Sequence, residues 1–189
     1  MTEYTLPGWK ANLFGLLFLL PAVVVYGLPF YLIWRPDAPY FLSEESKSLI
    51  LFAVDHKYLC LLVLLFSIAL HEAIHGVCMA AVAPNGWKSV SFGFNLKAMA
   101  PYAHCKEPLT PMAYRICLLM PAAVLGDIPA LVGWCTGNIL WLLYGVLFLW
   151  AAAGDVIILY MSRNIRDGQL QDHSDKIGFI HLPETITPL

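Results

Sequence analysis

His71, Glu72 and His75 stand in the order His71-Glu72-Ala73-Ile74-His75, an H-E-x-x-H arrangement inside a long apolar run. Residues four apart lie one above the other on a helix, so both imidazoles can reach one metal ion. Zinc suits such nitrogen ligands, and the intervening acid stands beside a water on the metal as a general base. The ion lowers the pKa of that water to about 7 and polarises a peptide carbonyl as a Lewis acid. With 6 His and 13 Asp plus Glu in 189 residues, roughly 0.01 such motifs are expected by chance, even with Asp allowed at the acid position. The plain alternative is a packed pair of histidines beside a protonated glutamate.

A catalytic zinc usually has three protein ligands and an open fourth position. The other charged residues within the apolar segments are Asp127 and Asp155, and no Lys or Arg lies beside them. An ionised carboxylate in that setting needs a partner, and a bound cation would be one. Depth separates the two candidates, at about 1.5 Å of rise per helical residue. His75 lies about 12 Å, Asp155 about 9 Å and Asp127 about 17 Å from the same end of their segments, with the kink-prone Pro121 blurring the last value. Depth favours Asp155 as third ligand and leaves Asp127 as the alternative. Ala151, Ala152, Ala153 and Gly154 are small enough to let helices approach closely around a shared ion.

The elements that must position these residues follow from composition. The chain is 59% hydrophobic and only 13% charged, about half the charge of a typical soluble domain. That excludes a water-exposed globule, and the apolar content excludes disorder. A net charge of −2 without any Lys/Arg cluster excludes a nucleic-acid surface. Cys60, Cys78, Cys105, Cys117 and Cys135 are scattered and odd in number, so they form neither a disulfide framework nor a cysteine zinc site. Four apolar segments, at about 11–34, 58–83, 116–136 and 139–161, are each long enough to cross a hydrocarbon core of about 30 Å. The first is too long for a signal peptide and lacks a cleavage site.

The expected fold is an all-α membrane protein forming one integral domain over residues 1–189. It has four transmembrane helices and a small cytoplasmic β-hairpin at 87–106 between the second and third. A polar tail covers 162–189. Four spans put both termini on one side. That side carries Lys10, Lys88, Lys97, Lys106, Arg163, Arg166 and Lys176, with Arg115 at the third span's entrance; the other carries Arg35, Lys47 and Lys57. The positive-inside rule makes the first side cytoplasmic, in an inner or plasma membrane of bacterial type. Val90, Phe92, Phe94 and Leu96 alternate with small and polar residues, which is strand periodicity. A second extended stretch at Met99–Cys105 completes a hairpin, and 177–182 reads as a further short strand.

His71-Glu72-x-x-His75-Gly76 in one hydrophobic helix, with Gly154-Asp155 in a later one, resembles a family of small membrane proteins described as zincin peptidases. More distantly it resembles the site-2 intramembrane zinc metalloproteases. Ser91-Phe92-Gly93, Pro101-Tyr102-Ala103-His104 and Asp172-His173-Ser174-Asp175 belong to the same resemblance. It implies a zinc ion held by His71, His75 and Asp155, with Glu72 as base. Site-2 proteases usually carry the third ligand in an Asn-Pro-Asp-Gly or Leu-Asp-Gly setting, whereas Val156 follows Asp155 here.

Weaker signals have ordinary readings. His104, Cys105 and Cys78 are within reach of a metal on sequence grounds, yet a loop histidine is normally solvated and an apolar-run cysteine normally fills core. His173 reads as solvated, and Asn95 as an unsupported candidate for oxyanion contact. The strand at Ser89–Leu96 either receives an extended peptide by strand addition or caps the site. Pro21, Pro29, Pro121 and Pro129 invite kinks, which neighbouring helices can satisfy. The expected activity is hydrolysis of a peptide bond in a peptide or membrane-protein substrate. The rivals are an ion or metal transporter and a non-catalytic membrane binding protein, since intramembrane His/Glu/Asp sets also mark ion pathways.

Overall fold

A computed structural model describes residues 1–34, 44–95, 100–173 and 176–183. Arg35, Leu96, Lys97, Met99, Ser174, Asp175 and the chain beyond Pro183, all used in the sequence reading, lie outside the described residues. The molecule is mostly helical. Strand β1 (Thr2–Leu6) leads into α1 (Gly8–Ala22), a π-helical turn at Val23–Gly27 and α2 (Leu28–Trp34). Helix α3 (Glu44–Asp55) precedes α4 (Lys57–Val82), and then β2 (Val90–Asn95) and β3 (Ala100–Cys105) form the hairpin. Helix α5 (Pro111–Pro121), a second π segment (Ala122–Asp127) and α6 (Ile128–Thr136) make one long rod. Helices α7 (Ile139–Ala151) and α8 (Ala153–Ser162) and strands β4 (Gln169–Asp172) and β5 (Ile177–Leu182) complete the chain.

Three continuous helical stretches, Gly8–Trp34, Lys57–Val82 and Pro111–Thr136, are long and apolar enough to cross a membrane. The fourth expected span is not one helix. It breaks at Ala152 into α7 and α8, which are bent by 49°. No proline causes the bend. Ala152 leaves helical geometry at φ −78° and ψ 6° and is fully buried; its small side chain lets the bent corner sink between neighbours. The third helix starts at Pro111 rather than near 116. Thr110 caps it, its Oγ1 accepting the Ala113 N–H at 3.4 Å, and Pro111 occupies the first turn, where its missing N–H costs nothing.

Each π segment ends two residues before a proline, Gly27 before Pro29 and Asp127 before Pro129. A proline ring clashes with the carbonyl four residues back, and the wider π turn relieves that clash without ending the helix. The two segments are joined: the Tyr26 hydroxyl donates to Asp127 Oδ1, and Trp134 Nε1 donates to the Tyr26 carbonyl at 2.7 Å. Gly137 closes α6 in the left-handed conformation, φ 68°, which costs glycine little and lets α7 fold back on α6.

The tail is not simply polar. Strand β5 pairs antiparallel with both β1 and β4, giving a three-stranded sheet in the order β1-β5-β4. Tyr4 stacks on Phe179 at 5.1 Å between centroids, and Phe179 is fully buried against Tyr114 of α5. The sheet therefore brings the N-terminal segment and the tail together at one end of the helices. The sequence reading left β1 and β4 unseen because an edge strand takes much of its stability from its partner.

Candidate metal centre

The inward face of α4 carries Ser67, His71, His75 and Met79, all buried at four-residue spacing. Asp155 sits in the first turn of α8, just past the bend. Its carboxylate bridges the two imidazoles. Oδ2 lies 3.2 Å from His71 Nε2 and Oδ1 lies 3.3 Å from His75 Nε2. The ligand atoms of His71, His75 and Asp155 all fall within 4.8 Å of one another, as a single ion would require.

The second nitrogen of His75 decides how well it suits a metal. Nδ1 lies 2.9 Å from the backbone carbonyl of Cys117. A carbonyl can only accept, so Nδ1 carries the hydrogen and a neutral ring turns the Nε2 lone pair toward the site. Such a partner fixes tautomer and ring orientation in metal-binding histidines. The Cys117 carbonyl is free to do this because the residue four positions on is Pro121, which has no N–H to offer it. The residues present therefore fit a zinc ion with two imidazoles and one carboxylate. That leaves a position open for chemistry.

Glu72 points to the hairpin side. Its Oε2 accepts the backbone N–H of Ala103 at 2.7 Å. Ala103 faces Phe92 across the hairpin, and the Lys106 N–H to Ser89 carbonyl bond at 2.8 Å sets the ladder phase. In that phase the Ala103 and Cys105 amides point away from β2, toward Glu72 and Asp172 respectively. The Cys105 N–H donates to Asp172 Oδ2 at 3.0 Å, so the tail holds the same strand edge. Burial pushes the Asp172 carboxyl above the usual range, partly offset by that amide. The hairpin thus meets the site through β3, as a cap, while the outer edge of β2 pairs with no strand among the described residues.

Gly76 makes this approach possible. A Cβ there would lie 2.3 Å from Cζ of Phe92, so the ring occupies the space a side chain would take. The other wall of the hairpin is tied to the exit of α4. Glu107 accepts from the Ser89 hydroxyl at 2.6 Å and from both amides of Asn85, and these donors hold its carboxyl below its ordinary value of 4.5.

The remaining candidates go elsewhere. Asp127 is engaged by Tyr26 and is not part of the metal-competent cluster among the described residues. Cys78, Cys105 and Cys117 belong to the apolar core around Tyr114 and Phe179. His104 lies on β3 with Nδ1 3.8 Å from Asp172, and His173, expected in solvent, has Nε2 3.5 Å from Glu3 with its side chain only 9% exposed. Sequence reasoning assigns no role to Ala103, Asp172 or the Cys117 carbonyl, although the first two lie in motifs that carry the family resemblance. The signal for the carbonyl is a proline four residues downstream.

A sequence model of the family described as "putative zincin peptidase" matches residues 64–168, a stretch that holds His71, Glu72, His75 and Asp155. Comparison with curated proteins and with solved structures returns no match. Covering more than half of the chain, the family match shows that this protein belongs to the zincin peptidase family.

Proposed function

We propose that the protein is an intramembrane zinc metallopeptidase, akin to site-2 proteases, with His71, His75 and Asp155 as metal ligands and Glu72 as general base. The observation that carries this reading is the bridging of both histidines by one carboxylate from a distant helix, with Glu72 beside them. Support for the membrane comes from the large apolar side chains left uncovered on α1 and α4, among them Leu16, Leu20, Leu62 and Phe66, each more than 60% exposed. Contiguous apolar surface of that extent calls for lipid. The basic excess on the side of the two termini makes that side cytoplasmic.

A zinc ion held by the three ligands would supply Lewis acidity for the scissile carbonyl and for a water molecule. Ala103 holds one oxygen of Glu72, which leaves the other to take the proton of the attacking water. Glu72 then returns that proton to the departing amine, so one water is consumed and an acid and an amine are released. His75 is kept in register by the Cys117 carbonyl throughout. A groove of about 660 Å³ beside α4 is lined by Phe66, Ser67, Leu70, Ile128, Trp141 and Tyr144, and Ser67 stands one helical turn before His71 on the same buried face. An apolar segment of a membrane protein or a hydrophobic peptide reaches the site along it.

The test is a Glu72→Gln variant purified with its metal. The proposal expects about one zinc per chain in wild type and variant, with cleavage of fluorogenic or membrane-protein substrates in wild type alone. Metal flux into vesicles without cleavage by either protein would establish a carrier, and a wild-type chain that binds no zinc would remove the enzyme reading.

A further inference from the structure

At the end of the helices where the hairpin and the terminal sheet lie, a cleft of about 370 Å³ opens between α5 and α8. It is lined by Arg115, Val156, Leu159, Tyr160 and Arg163. Its composition is two guanidiniums at the mouth of an apolar wall. Arg115 stands one turn into α5 and spends one nitrogen, Nη2, on the carbonyls of Ser162 and Ile165, which close the C-terminal end of α8. Its Nε is buried and has no hydrogen-bond partner among the described residues. Arg163 lies over the Tyr160 ring, Cζ 3.5 Å from the centroid, and donates to the Tyr160 carbonyl at 2.7 Å. Among the described residues, no carboxylate lies within ion-pair distance of either arginine. Asp155, in the first turn of α8, is turned to His71 and His75, and Asp167, four residues after Arg163, forms no ion pair with it among the described residues.

We propose that this cleft binds one anionic phospholipid, its phosphate taken by Arg115 and Arg163 and an acyl chain lying along Val156, Leu159 and Tyr160. Two uncompensated guanidiniums, one of them partly orphaned, need an anion with several acceptor oxygens, and a phosphate matches the planar donor fork. The apolar wall below calls for a ligand with a tail, and basic clefts between helices at the cytoplasmic boundary suit anionic headgroups. The site rests on the membrane reading but not on the peptidase reading. An occupant would brace α8, the helix that presents Asp155.

Native mass spectrometry of the full chain, released from nanodiscs of phosphatidylglycerol or phosphatidylcholine, tests it. Wild type should retain one phosphatidylglycerol and no comparable phosphatidylcholine. Arg163→Gln removes an exposed side chain outside the core and should weaken retention about fivefold, the effect of one basic residue at a membrane surface. Val156→Trp fills the cleft without changing charge and should also lower retention. Equal retention of both lipids, or unchanged retention in both variants, overturns the proposal. So does displacement of the lipid by millimolar inorganic phosphate, which would make the site one for free phosphate. Resistance of the chain to alkaline extraction from membranes is measured alongside, so a failed lipid preference is distinguishable from a failed membrane assignment.

Discussion

Replacing Pro121 with alanine tests whether the candidate metal centre depends on a missing backbone hydrogen. In the native chain the Cys117 carbonyl accepts from His75 Nδ1 at 2.9 Å, because Pro121 leaves it without its helical partner. The Pro121→Ala substitution would restore an N–H four residues downstream and draw the carbonyl back along the helix axis. His75 then loses the partner that fixes its tautomer. Loss of such an outer partner typically costs 10–100-fold in metal affinity, or about 1.4–2.7 kcal/mol. Stability is set by two opposed effects: alanine in a helix interior is favoured over proline by about 3 kcal/mol, reduced here by the adjoining π segment, while Pro121 is fully buried and the smaller residue leaves a gap. The expected outcome is therefore an apo form close to wild type in heat stability that binds zinc more weakly in a chelator competition. Unchanged zinc affinity would refute the reasoning. Loss of stability together with affinity would refute it too, because it would indicate general damage rather than a recaptured carbonyl.

Asp155→Asn should abolish stoichiometric zinc binding, whereas Asp127→Asn should leave zinc bound and lower thermal stability through the Tyr26 contact; metal analysis and melting curves of the pair separate ligand from strut. Gly76→Ala should displace Phe92, whose ring already fills that space, at about 1–3 kcal/mol of overpacking, and adding Phe92→Ala should recover most of the lost stability and activity. Glu107 is held below its ordinary pKa of 4.5 by Ser89 and Asn85. Its stabilising contribution is thus complete above pH 4.5 and lost as pH falls through the lowered value. A Glu107→Gln variant should show a shallower fall in melting temperature across that acidic range, measured in detergent.

His71, Glu72 and His75 were legible because all three lie within five residues of one helix, where spacing alone dictates which side chains share a face. Asp155 was legible by depth, since rise per residue in an apolar helix is nearly constant. The hairpin was visible in the alternation beginning at Val90. What the linear pattern determined, then, was which side chains share the candidate site and the apolar elements that carry them. The tertiary structure decided how those elements bend and what holds the candidate ligands in place. The break at Ala152 has no proline to announce it, and β1 and β4 exist through pairing with β5. Ala103 and Cys117 act through backbone atoms, whose availability depends on which neighbour takes the hydrogen bond rather than on side-chain identity. Contacts of that kind join residues 31 and 42 positions apart. They become definite only when packing brings the two backbones and side chains within about 3 Å, the reach of a hydrogen bond.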